Sequence, residues 1–279
     1  MHVVPCLLVS LIVCAPPAAF AATAEAESAP WDAALNFEFN EASDRFAERH
    51  VAAPDDARVT LAHAATLLAR QPRTQANVNT ARALVERVLA APGGSVAPDH
   101  HALALYLRTR IIHEHEARPD LAAARAGYEE LRRLYPAHPL ADHAAVHLAI
   151  LLLHQTPGID FEARRAGLEA LVETAHAPSA RRELLYLLGR LHWDERADAA
   201  AALSPLIAAR ELGYEAPARN GEVDLFIADL AARAGRPELS ARHFLAFVHA
   251  YPRDTRTGTA KRLAAEQSAL AANPAASAR

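Results

Sequence analysis

Cysteine is almost missing from this chain: Cys6 and Cys14 are the only two, and both fall in the opening apolar stretch. Beyond residue 14 there is therefore neither a disulfide framework nor a thiol nucleophile. Lysine is scarcer still. Lys261 stands alone among 29 basic residues, so arginine carries the positive charge everywhere and no single arginine is a strong functional signal. Aromatics make up only 6% of the residues, and Ala, Leu, Glu and Arg exceed Val, Ile and Thr. That balance favours helix, because unbranched side chains lose little rotamer freedom there. Strand-like alternation is absent over any useful length. A net charge of −4 removes any general attraction to nucleic-acid phosphates. What the chain has in plenty is apolar side chains, 52% of 279 residues, enough to bury a core as one elongated domain or two compact ones.

The first stretch, MHVVPCLLVSLIVCAPPAAFA, ends in the small-x-small pattern Ala19-Phe20-Ala21 and predicts a secretory signal over 1–21, cleaved after Ala21. Its start lacks Lys and Arg. The competing reading is an uncleaved anchor, but Pro5, Pro16 and Pro17 leave less than the ~20 apolar residues a spanning helix needs. Lipidation at Cys14 is disfavoured because Val13, not a small residue, precedes it. The expected location is periplasmic or secreted, with outer-membrane attachment second. Residues 22–30, ATAEAESAP, read as a linker, and 271–279, AANPAASAR, as a disordered tail.

Between these ends, proline breaks recur at Pro54, Pro92, Pro136, Pro178, Pro217 and Pro252, at intervals of 38, 44, 42, 39 and 35 residues. Periods of this size signal an array of helix pairs. Each interval divides again, near Pro72, Pro119, Pro157, Asp198 and Pro237, as a hairpin requires where proline removes an amide donor and disfavours helix in the residue before it. The punctuation predicts about twelve helices, over 31–50, 56–70, 77–91, 98–116, 119–134, 139–155, 159–175, 178–194, 197–211, 219–234, 237–250 and 254–271. Leu121, Ala124, Tyr128, Leu131 and Leu134 supply one apolar face, and Ala144, Ala145, Leu148, Leu151 and Leu152 the next.

Two segments carry a family resemblance. LLYLLGRLHWDE, with Leu185, Leu188, Gly189 and His192, is similar to the first helix of a tetratricopeptide repeat, and AARAGRPELSARHFLAFVHAYP, with Gly235, Ala241, Phe244 and Tyr251-Pro252, is similar to its turn and second helix. AGYEELRRLYPAHPLADHAAVHLAILL resembles the Tyr-Pro joints of bacterial envelope members such as the outer-membrane assembly lipoprotein and the Tol-Pal coordinator. The likeness is close over 119–155 and 217–270 and extends over 31–270 in period only. Ala53-Pro54 and Ala91-Pro92 replace Tyr-Pro in the early units, and one unit is longer than the family's usual ~34 residues. The resemblance implies an all-α, right-handed α-solenoid of about six hairpins, without cofactor or catalysis. It further implies a concave surface for a protein or peptide partner, lined by Glu183, Tyr186, Arg190 and Trp193 and, one unit on, by Glu222 and Asp229. Tyr, Trp and Arg are types that concentrate binding energy. Packing of Tyr186 and Trp193 against neighbouring helices is the competing reading.

Other constellations are weaker. His143, His147 and His154 fall within about 40° on an ideal helix, but a zinc site takes three or four oriented ligands, and a shared polar face accounts for this spacing. HEHE at 113–116 lacks the second histidine a metalloprotease helix needs, because Ala117 stands there. Gly93 and Gly94 belong to no phosphate-binding framework, and no nucleophile elbow or catalytic carboxylate pair stands out. The expectation is thus an exported, non-catalytic scaffold for another cell-envelope protein or peptide. The alternatives are a periplasmic metal-binding protein using the histidine stripe with His138, or an accessory superhelical subunit of a cell-wall enzyme.

Overall fold

The computed structural model describes residues 21–273 apart from Gly93 and Pro157, with side chains from Ser28 onward. The expected signal segment up to residue 20 and the last six residues lie outside the described residues. Among the described residues thirteen α-helices follow one another: α1 (Ala21–Leu35), α2 (Phe39–Ala52), α3 (Ala57–Ala69), α4 (Gln75–Leu89), α5 (Pro98–Arg110), α6 (Leu121–Leu134), α7 (Pro139–Ile150), α8 (Phe161–Thr174), α9 (Pro178–Arg196), α10 (Ala199–Leu212), α11 (Pro217–Arg233), α12 (Pro237–Ala250) and α13 (Thr257–Ala272). No strand occurs among the described residues. Among the described residues the fold is all-α, with helices that pack on their neighbours in sequence across short turns, α9 on α10 and α12 on α13 among them.

Two devices start the helices alternately. The second helix of each hairpin from α4 to α10 is capped by a side chain that accepts from its first-turn amides: Thr74, Asp120, Asp160 and Asp198. The first helices α5, α9 and α11 open instead on Pro98, Pro178 and Pro217, whose missing N–H would have had no partner at that position. Between α5 and α11 the alternation of Pro and Asp carries the hairpin rhythm, while outside that stretch Asp56 caps the first helix α3 and Pro237 opens the second helix α12.

The Tyr-Pro joints close the units. Tyr135 Oη lies 2.8 Å from His101 Nδ1, and the Tyr251 hydroxyl donates to the Pro217 carbonyl. Each reaches back 34 residues to the opening turn of the first helix in its own hairpin. His101 is tied down in this way.

The chain divides into two compact units, at Ala144 and Ala145 within α7. In the first, Phe46, Leu61, Val85, Leu107 and Ile111 form one cluster, and Trp31 packs edge-on to Phe46 at 4.7 Å. Of the predicted α6 face, Ala124, Tyr128 and Leu131 are fully buried while Leu134 emerges at the frayed end. In the second unit, Leu203, Leu206, Val223, Ile227 and Leu230 form the middle cluster, and Phe244, Phe247, Ala260 and Ala264 seat α13. Gly189 permits a close approach of α9 and α10, since a Cβ there would sit 2.4 Å from Leu206 Cγ and 3.1 Å from the Ala202 carbonyl oxygen.

Three expectations need correction. The stretch read as a linker, 22–30, is helical as part of α1. The helix expected over 31–50 is two helices, broken at Asn36–Glu38, where Phe37 takes φ 63° without any Gly or Pro to mark the turn. The first two residues of the expected tail, Ala271 and Ala272, are helical, because α13 runs to Ala272. Two helices also end differently from a regular α-helix: α5 passes into a π turn at Ile111–His115, and α7 into one at Leu151–Gln155.

Candidate functional site

The expected ligand-facing residues lie in the second unit on α9 and α11, the first helices of consecutive hairpins. Residues 183, 186, 190 and 193 repeat at three, four and three, so they share one stripe of α9; 219, 222, 226, 229 and 233 do the same on α11. Leu184, Leu188 and Leu191 hold α9 in this orientation by occupying the core, with Leu185 half-buried beside them.

The two stripes are joined by stacked guanidinium and aromatic groups. Arg219 lies over the Tyr186 ring at 4.4 Å, Arg190 over Phe226 at 5.5 Å, and Arg233 over Trp193 at 5.3 Å. Arg182 and Arg219 flank Tyr214 at 4.6 and 5.6 Å. The donor and the ring swap helices from rung to rung, which ties α9 and α11 reciprocally. Such stacks contribute about 0.5–1 kcal/mol each where exposed.

Tyr186 and Trp193 are half-buried against the cluster of α10 and α11. Both therefore pack against neighbouring helices, and each ring is partly covered by an arginine. The charges are matched pair by pair: Arg190 to Asp194 at 2.8 Å, Arg233 to Asp229 at 2.8 Å, Glu222 to Arg256 at 2.6 Å and Arg182 to Glu183 at 3.3 Å. Burial disfavours the Arg190 charge, but hydrogen bonds to Asp194 and Tyr186 outweigh it and hold the group above the usual arginine value. All six expected residues are thus engaged: Glu183, Arg190, Glu222 and Asp229 as ion-pair partners, Tyr186 and Trp193 as stacking surfaces. Arg219, Phe226 and Arg233 were missed from sequence. Their signal was the same seven-residue recurrence, on a stripe already marked by Glu222 and Asp229.

Beneath this face, Asp224 is buried, taking hydrogen bonds from Arg210 at 2.9 Å and His243 Nδ1 at 3.0 Å. Burial alone would raise its pKa, and the hydrogen bonds from His243 and Arg210, with the Arg210 charge, bring it below the usual carboxylate range. Asp224 links α10, α11 and α12 and fixes the stripe from below.

The histidine stripe offers less. His138 Nδ1 accepts from the Leu140 amide at 3.1 Å, and its Nε2 is 3.7 Å from Asp99. His143 is partly buried, which lowers its pKa. His154 lies in the π turn and is exposed, out of phase with the α-helical spacing that aligned it.

No family model matches the chain, and no curated protein matches it either. Among solved structures it is similar to the APC/C hetero-tetramer Cut9-Hcn1, at 13% identity and a TM-score of 0.47, over 85% of this chain and 41% of that one. The chain spans less than half of that neighbour's length.

Proposed function

We propose that the protein is an exported, non-catalytic scaffold that binds another cell-envelope protein or peptide through the α9–α11 face. The observation that carries the reading is the ladder itself. Tyr186, Arg190 and Trp193 combine apolar area with polar edges, and they are held in place by Arg219, Phe226 and Arg233 before any partner arrives. Preorganised side chains lose little conformational entropy on binding, so more of the contact energy appears as affinity. Export is supported by the opening apolar stretch with its small-x-small ending.

Affinity capture from envelope extract tests the proposal, with residues 22–279 run beside a Tyr186→Ala/Arg190→Ala/Trp193→Ala variant of equal helicity. The expected result is a protein retained by the parent and lost by the variant. Equal retention by both would place the binding surface elsewhere.

A further inference from the structure

The rungs of the ladder are not equivalent. Arg182, Arg190, Arg233 and Arg256 each have a carboxylate partner. Arg219 has none among the described residues: its guanidinium lies 4.4 Å from the Tyr186 ring centre and 5.6 Å from that of Tyr214. Two aromatic rings fix the planar group, while its N–H donors have no acceptor. Beside it, the Tyr214 hydroxyl is buried and has no hydrogen-bond partner, in a side chain only 8% exposed.

The surroundings are rigid. Asn220 accepts from the Tyr214 amide at 2.9 Å and donates to the Tyr214 carbonyl at 2.8 Å. Arg182 Nη1 donates to the Gly213 carbonyl at 2.6 Å. The cluster of Arg182, Arg219, Tyr186 and Tyr214 therefore presents an excess of donors. Glu183 is held by Arg182 at 3.3 Å. Burial raises the Tyr214 pKa, and Glu183 raises it further, so the phenol keeps its proton and stays a donor.

We infer that Arg219, steadied by Tyr186 and Tyr214, is an oxyanion receptor that takes one carboxylate of an acidic peptide. A guanidinium held in a plane favours the bidentate geometry a carboxylate offers. Arg182 is already paired with Glu183, which leaves one guanidinium fork, that of Arg219, for one carboxylate. The peptide as carrier rests on the protein-binding reading above; the receptor does not.

The test uses the full chain with 15N-labelled arginine, following the Arg219 Nε–H resonance at constant ionic strength. The probes are hexaglutamate, hexaglutamine, sodium acetate and inorganic phosphate. Hexaglutamate is expected to give a saturable shift and hexaglutamine none, with acetate weaker and phosphate weaker than hexaglutamate. Arg219→Lys, which keeps the charge but loses the fork, should weaken hexaglutamate binding about tenfold when parent and variant are compared by calorimetry. Tyr186→Leu, which removes the ring beneath Arg219, should weaken it about twofold to fivefold, and Glu183→Gln should strengthen it. Those two variants still decide the matter if Arg219→Lys does not fold. An equal, unsaturable shift at exposed Arg236 would mean charge screening and would overturn the receptor, as would no shift at all. Tighter binding of phosphate than of hexaglutamate would overturn the carboxylate assignment, and acetate saturation without hexaglutamate binding would overturn the peptide. Capture through Tyr186, Arg190 and Trp193 is a separate measurement, so either claim can fail alone.

Discussion

Arg110–Glu114 in the first unit and Arg190–Asp194 in the second are the same sequence device, an arginine with an acid four residues on, put to opposite uses. Arg110 is 5% exposed and its pair lies at the junction of α5 with its π turn, beside buried Tyr106 and Tyr128. Burial works against the Arg110 charge, and Glu114 more than compensates, holding the group above the usual arginine value. Arg190 and Asp194 are 43% and 47% exposed, and the arginine spends its flat face on Phe226. Spacing along a helix thus says which groups meet; the neighbouring helices decide whether the meeting supports the core or dresses a surface.

The sharpest way to break this comparison is to remove the acid from each pair. Glu114→Gln leaves a buried guanidinium without its counter-charge and should cost roughly 3–5 kcal/mol, whereas Asp194→Asn should cost less than about 1 kcal/mol. The two tryptophans report the units separately, Trp31 the first and Trp193 the second. Urea titrations read by each, in backgrounds lacking the other, supply the numbers. Equal costs would erase the distinction.

Acid should separate the units next. Burial is the leading cause that holds His63 and His115 of the first unit down to about 4. A histidine whose folded pKa lies below its unfolded value gives stability that is present above about pH 6.5 and is lost as pH falls toward the folded value. For His63 the full loss is at most about 3 kcal/mol. Asp224 in the second unit also has a lowered pKa, so its contribution holds above about pH 4 and fades only as pH falls through its lower folded value. Trp31 fluorescence should therefore report weakening between about pH 6.5 and 4, with Trp193 fluorescence following at lower pH. His63→Gln should flatten the first response, and an unchanged slope would contradict the assignment.

Packing gives a smaller effect. Gly189→Ala places a methyl against Leu206 and the Ala202 carbonyl, and should cost about 1–3 kcal/mol as α9 and α10 are pushed apart. Smallest of all, Arg233→Ala uncovers Trp193 and should cost about 0.5–1 kcal/mol, visible as a shift in tryptophan emission more than in the melting temperature.

The hairpin rhythm was legible because Pro and Asp act locally: Pro178 and Pro217 start helices, and Asp120, Asp160 and Asp198 cap them. The α1–α2 break was not, since Phe37 adopts its left-handed conformation among residues that carry no turn signature. Nor were the π turns, because IIHEH and LLLHQ read as ordinary helix. At the candidate site, the resemblance picked out Glu183, Tyr186, Arg190 and Trp193 on α9 and only Glu222 and Asp229 on α11. The rungs Arg219, Phe226 and Arg233 depend on how α9 lies beside α11, and a helical wheel drawn for one helix carries no information about the next.

The central claim is that a partner docks on the α9–α11 face, and site-specific photocrosslinking tests it most directly. A benzophenone amino acid is placed at Asp229, exposed on that face, and in a second variant at Arg242, exposed on α12. The account predicts a discrete crosslinked adduct in cells from position 229 and none from 242. An adduct from 242 with nothing at 229 would contradict it.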